Sequence, residues 1–107
     1  MELINKHIKE LNALCEKHKV KKLYAFGSII SGTVNADSDL DFLVEFNEID
    51  LFNYFDNYMD LKESLEELFN IRVDILEIQT LKNPILIRSI DRNKKLIYGR
   101  ADTKMVV

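Results

Sequence analysis

The sequence predicts an α/β domain, a small mixed β-sheet flanked by helices. Three observations carry that reading. The segments DLDFLVEF (39–46) and IRVDILEI (71–78) alternate as strands do, with successive side chains on opposite faces. The segments 2–18 and 51–69 repeat their apolar residues every three or four positions, the spacing of one helix face. The patterns run in the order α, β, β, α, β, α, β, which sets helices over a sheet.

In residues 2–18, Ile4, Ile8, Leu11, Cys15 and His18 form the inward stripe. KLYAF (22–26) follows as a short buried strand, ended by Gly27. In 39–46, Leu40, Phe42, Val44 and Phe46 point one way, and Asp39, Asp41, Leu43 and Glu45 the other. Asp50 is placed to cap the helix 51–69. Its predicted buried stripe is Leu51, Phe55, Tyr58, Leu61, Leu65 and Leu68. In the third strand Ile71, Val73 and Ile75 share one face, and Arg72, Asp74 and Leu76 the other. Asn83 as cap and Pro84 as first helical residue open a helix to about residue 92. KLIY (95–98) reads as a last short strand, and the tail from Gly99 is expected to fray.

A chain of 107 residues suggests one domain, 1–107, able to bury a core without disulfides. The apolar fraction of 47% and charged fraction of 31% are those of an ordinary globular domain. No apolar run approaches a membrane span, and residues 1–12 lack the apolar core of a signal peptide. Cys15 is the only cysteine, which fits a reducing, cytoplasmic setting. The net charge of −3 argues against direct nucleic-acid binding, which needs a basic footprint. The basic clusters Lys17, Lys19, Lys21, Lys22 and Arg88, Arg92, Lys94, Lys95 read as solvated faces.

The chemistry concentrates in FGSIISGTVNADSDLDF (26–42). A strand that ends in Gly27-Ser28 and runs into a helical turn aims backbone N–H groups at one point, a setting suited to phosphate. Gly27 leaves room for close approach, Ser28 adds a hydroxyl, and Gly32 lets the chain turn back. Alone, a Gly-Ser pair is more often a plain turn. Asp39 and Asp41, two apart on a strand, face the same way, and as two anions they repel. A divalent cation relieves that repulsion. Asp74 interrupts an apolar strand. Placed beside Asp41, it adds a third carboxylate to one face, an arrangement that suits a two-metal site. There Asp74 either ligates the second ion or takes a proton. The competing reading of Asp74 is an ion pair with Arg72 or Lys22.

Gly27-Ser28, ten intervening residues, Asp39-x-Asp41 and the later Asp74 together resemble the motif set of minimal nucleotidyltransferase (MNT) domains. These belong to the polymerase-β-like nucleotidyltransferase superfamily. The resemblance spans about residues 3–98. It implies a palm-like fold, with Asp39, Asp41 and Asp74 as catalytic carboxylates. They would hold two Mg²⁺ ions, or Mn²⁺ in their place. Gly27, Ser28 and Ser38 would contact the nucleotide, with ATP as substrate. The resemblance also implies a HEPN-domain toxin as partner in a hetero-oligomer. The chain would then be the antitoxin of a type VII-like toxin–antitoxin system, transferring AMP (AMPylation) to a hydroxyl of the toxin, a tyrosine in some members. Ser31 departs from the pattern, since many relatives carry Arg there and a cation would help neutralise the triphosphate. Arg72, Lys22 or a basic residue of the partner are the candidates to replace it.

Two other functions compete with this one. In the first, the domain neutralises a toxin by binding alone, with a degenerate or nucleotide-binding site. In the second, it modifies an aminoglycoside-like metabolite or an RNA end, which the short chain and acidic balance disfavour. His7 and His18 read as surface and core-edge residues rather than metal ligands. Tyr54 and Tyr58 read as core or partner-facing.

Overall fold

A computed structural model describes residues 2–27, 30 and 39–99. The elements are α1 (Glu2–Lys6), α2 (Ile8–Lys17), β1 (Val20–Phe26), β2 (Leu40–Phe46), α3 (Leu51–Phe69), β3 (Val73–Glu77), a 3₁₀ turn (Ile78–Thr80), α4 (Pro84–Asn93) and β4 (Lys95–Tyr98). The four strands form one sheet in the order β3-β2-β1-β4. β1 is antiparallel to both neighbours, and β2 and β3 run parallel. The predicted mixed sheet with flanking helices is the architecture found.

The alternation read from β2 holds. Leu40, Phe42, Val44 and Phe46 enter the main core with Leu23 and Ala25 of β1, and with Val73 and Ile75 of β3. Ile4, Leu11 and Cys15 close that core from one side, and Leu61, Leu65 and Phe69 of α3 complete it. Truncating Leu61 or Leu65 to Ala costs about 2–5 kcal/mol by lost contacts and residual cavity. The opposite sheet face is only part covered, where Leu43 and Ile90 line a shared hollow under α4. Lys94 lies 4.4 Å above the Tyr24 ring on the same side. Helices therefore sit on both faces, but α4 reaches only part of the second one. Among the described residues no helix is long and apolar enough to cross a membrane.

Several boundaries differ from the sequence reading. The first helix breaks at His7 (φ −115°, ψ 22°), where the His7 ring meets Phe69 edge to face at 5.5 Å. β1 starts two residues earlier than predicted, because a bulge between Val20 and Lys22 resets its alternation and lets both Val20 and Leu23 point inward. The caps behave as their residue types predict. Asp50 accepts from the Asn53 N–H at 3.1 Å, and Asn83 accepts from the Ile85 N–H at 2.9 Å ahead of Pro84. Asn70 ends α3 in the left-handed region (φ 56°), which Asn tolerates. The largest correction concerns α3. Leu51 and Phe55, predicted as buried, are 92% and 66% exposed, and Tyr54 takes the inward position instead. Leu51 precedes Tyr58 by two turns, so its azimuth is right, but it stays exposed while Tyr54 packs on Phe46 of β2, ring centroids 5.7 Å apart.

Candidate active site

Register brings the predicted acids together. β2 and β3 are parallel, with Asp41 directly opposite Asp74. Paired residues on adjacent strands project to the same face. Asp39 lies two residues before Asp41 and shares that face at the strand's start. Antiparallel pairing sets Phe26 of β1 opposite Asp41, so Gly27 falls beside the same carboxylate. The acids stand at the open end of the face that α4 leaves uncovered. Asp41 is half-buried, while Asp39 and Asp74 are exposed.

Gly27 has a steric reason that the sequence reading missed. Its φ is +78°, and a Cβ built there would sit 2.6 Å from Asp41 Oδ2. Glycine is thus required twice, by backbone conformation and by the carboxylate pressed against it. From Gly27 the chain turns back inward. The Ile30 N–H donates to the Gly27 carbonyl at 3.1 Å, and Ile30 packs on the core. Ser28, Ser31, Gly32 and Ser38 lie outside the described residues.

The electrostatics follow from this crowding. The Asp41 carboxyl is raised above its ordinary value, first by burial, then by the Asp74 charge and then by Asp39. Arg72 does not pair with Asp74, as one reading had it. Its Nε lies 3.2 Å from Asp39 Oδ1 in an exposed pair. Tyr58 is also tied to the site. Its hydroxyl donates to the Ile75 carbonyl at 2.5 Å, and burial followed by the Asp74 charge raises it above its ordinary value. The sequence showed only that Tyr54 and Tyr58 share a helix face. Their approach to β3 depends on packing. His18 is buried at 2% exposure and is held by Leu14 and Asp60, away from the acids.

Among the described residues no three His, Cys, Asp or Glu side chains close into a preformed metal cage. The donor set nevertheless fits a hard divalent cation. All three groups are carboxylates at one end of one sheet face, and the only basic group paired to them among the described residues is Arg72. Mg²⁺ is commonly held by one or two carboxylates together with waters and substrate phosphates, so an open set of this kind is what it takes.

The arrangement is a small mixed sheet that presents paired acids beside a glycine turn. The family model for polymerase β nucleotidyltransferases matches residues 9–103, and the chain belongs to that family. The protein adenylyltransferase MntA of Thermococcus cleftensis is 37% identical over 83 residues, 78% of each chain. A solved structure assigned to the minimal nucleotidyltransferases superposes with a TM-score of 0.73 at 32% identity, covering 88% of this chain and 92% of that one. A chain from the complex of a tri-AMPylated Shewanella oneidensis HEPN toxin with its MNT antitoxin shares the fold. Its TM-score is 0.62 at 18% identity, covering 90% of this chain and 72% of that one.

Proposed function

We propose that this chain transfers AMP from MgATP to a hydroxyl of a partner protein, a tyrosine of a HEPN-domain toxin, and so acts as its antitoxin in a type VII-like pair in the cytoplasm. The observation that carries the reading is the register of Asp41 against Asp74, with Asp39 on the same face and Gly27 against the Asp41 carboxylate. The similarity to a protein adenylyltransferase and the fold shared with an MNT antitoxin chain support the choice of a protein acceptor.

The reaction forms one P–O bond and breaks another. The acceptor hydroxyl oxygen attacks the α-phosphorus, the bridging oxygen to the β-phosphorus departs, and pyrophosphate leaves. Asp39 and Asp41 would hold the metal, and Asp74 would complete the set. Bound Mg²⁺, as a pair of ions, would neutralise the phosphates and favour the ionised acceptor hydroxyl. Asp74, exposed at the strand's start, stands to receive the hydroxyl proton. Gly27 keeps the wall beside Asp41 free of side chain, while Ser28 and Ser38 are the nucleotide contacts.

The test is intact mass of a HEPN-domain protein encoded beside this chain, after incubation with the purified protein, ATP and Mg²⁺. A gain of AMP units that is lost with Asp41→Asn is expected. The binding-only reading retains one specific support, Ser31 in place of the family Arg. Under that reading the neighbour stays unmodified, yet is silenced equally by the wild type and by a variant with Asn at 39, 41 and 74.

A further inference from the structure

The amino-terminal end of α3 has no partner within the described residues. Leu51, Phe52 and Phe55 are 92%, 95% and 66% exposed, and Phe55, four residues after Leu51 and three after Phe52, adjoins both on the helix surface. Leu51 is in phase with the part-buried Tyr58 and the buried Leu65, so the core-facing stripe of α3 ends in an exposed leucine. Isolated exposed apolar residues are ordinary, but two phenylalanines and a leucine in one turn are a patch.

The charge around the patch identifies what fits it. From Phe46 to Leu61 the chain has no Lys or Arg, yet it carries Glu48, Asp50, Asp56 and Asp60. Among the described residues Glu48, Asp50 and Asp56 enter no ion pair. A second copy docked on this patch by two-fold symmetry would set these acids against themselves. An anionic membrane surface or a nucleic acid would meet the same repulsion. The complementary surface is an apolar protein groove rimmed by Lys and Arg.

We infer that the exposed end of α3, Leu51, Phe52 and Phe55 within its acidic rim, is the docking surface for a protein partner with a basic-rimmed apolar groove. Phe55 also lines a hollow with Tyr58, Ile75 and Leu76 along β3, so the patch borders a recess a partner's apolar side chains can enter. The inference rests on the proposed protein acceptor for its biological sense, but its test reads docking without chemistry.

The experiment is an amide-resolved NMR titration of the full chain with a synthetic amphipathic helical peptide, leucines along one face and arginines on the flanks. Shifts at Leu51, Phe52 and Phe55 are expected. Affinity should fall at least tenfold in Phe52→Ser/Phe55→Ser, both largely exposed positions, and should fall again as salt rises. Equal binding of a peptide with glutamates for arginines overturns the inference, as does the absence of binding or shifts centred elsewhere. Sedimentation that shows a dimer lost in the double serine variant overturns it in favour of a second copy. Docking without AMP transfer to the neighbouring protein overturns the proposed activity alone, and transfer unaffected by the double variant overturns this surface alone.

Discussion

Asp41 and Asp60 carry the same side chain into opposite surroundings. Asp41 stands at the open end of the sheet, half-buried, facing Asp74 and Asp39, and its carboxyl is raised. Asp60 stands on the flank of α3 and accepts from His18 Nε2 at 2.5 Å, and that hydrogen bond holds its carboxyl below the ordinary value. His18 Nδ1 lies 2.7 Å from the Leu14 carbonyl, so both ring nitrogens face acceptors. Asn57 adds a bond to the His18 carbonyl at 2.7 Å. One region satisfies its acid and ties α2 to α3. The other gathers acids that are unfavourable together until a cation joins them. The fold is stabilised at His18 and held under tension at Asp41, and the tension marks the site.

The largest effect tests the strained region. Asp41→Asn is expected to lower transfer by about 10²–10⁴-fold, the range for removing a group that acts in the chemical step. The same variant should melt at a higher temperature than the wild type in the absence of divalent cation, since it removes a charge disfavoured by burial and by two neighbours. Calorimetry with and without Mg²⁺ checks both parts, because the cation should raise the wild type more than the variant. A wild type that melts above Asp41→Asn without cation would contradict the account of strain.

Gly27→Ala probes the same region from the other side of the contact. The added methyl meets Asp41 Oδ2 at 2.6 Å, and the backbone is held at φ +78°. The expected loss is about 1–3 kcal/mol of stability, from left-handed strain on a residue with a Cβ. A fall in transfer larger than the loss of folded protein explains is also expected. The double variant Gly27→Ala/Asp41→Asn separates the causes. If the clash with the carboxylate dominates, stability recovers in part, whereas pure backbone strain leaves it unchanged.

Much of this contrast was written in the residues, and what was not has physical reasons. Alternation fixed which side chains of β2 share a face, and Asp50, Asn83 and Pro84 announced two helix starts through their capping chemistry. Register was a different matter. Period-two alternation says which face of its own strand each of Asp41 and Asp74 occupies, but not that the strands are neighbours or that these two residues are opposite. The exposed end of α3 was misread because helical phase reports azimuth and not which residues of that azimuth meet the sheet. Leu51 has the phase of a core residue yet is 92% exposed, while Tyr54 packs on Phe46. The Gly27 contact and the His18–Asp60 pair, 42 residues apart in sequence, exist only in three dimensions. Ser28 and Ser38 remain readings of the sequence.

The smallest expected effect is in pH dependence, and the two regions should oppose each other. Asp60 has a lowered carboxyl, so between its folded and unfolded values the unfolded chain binds more protons. Its contribution is present above the ordinary value of 3.8 and is lost as pH falls through the lowered value. Asp41 is the reverse. Its raised carboxyl makes the folded chain bind more protons above 3.8, so stability is gained as pH falls through that raised value and is lost as pH rises. Melting temperatures measured without divalent cation from neutral pH downward should therefore show a shallow rise attributable to Asp41 before acid unfolding sets in. Asp41→Asn should abolish that rise, and Asp60→Asn should leave it in place while flattening the acid limb and lowering stability near neutral pH. A rise that survives Asp41→Asn would mean that another group titrates in that window and that the carboxylates at the sheet end are less crowded than their register implies.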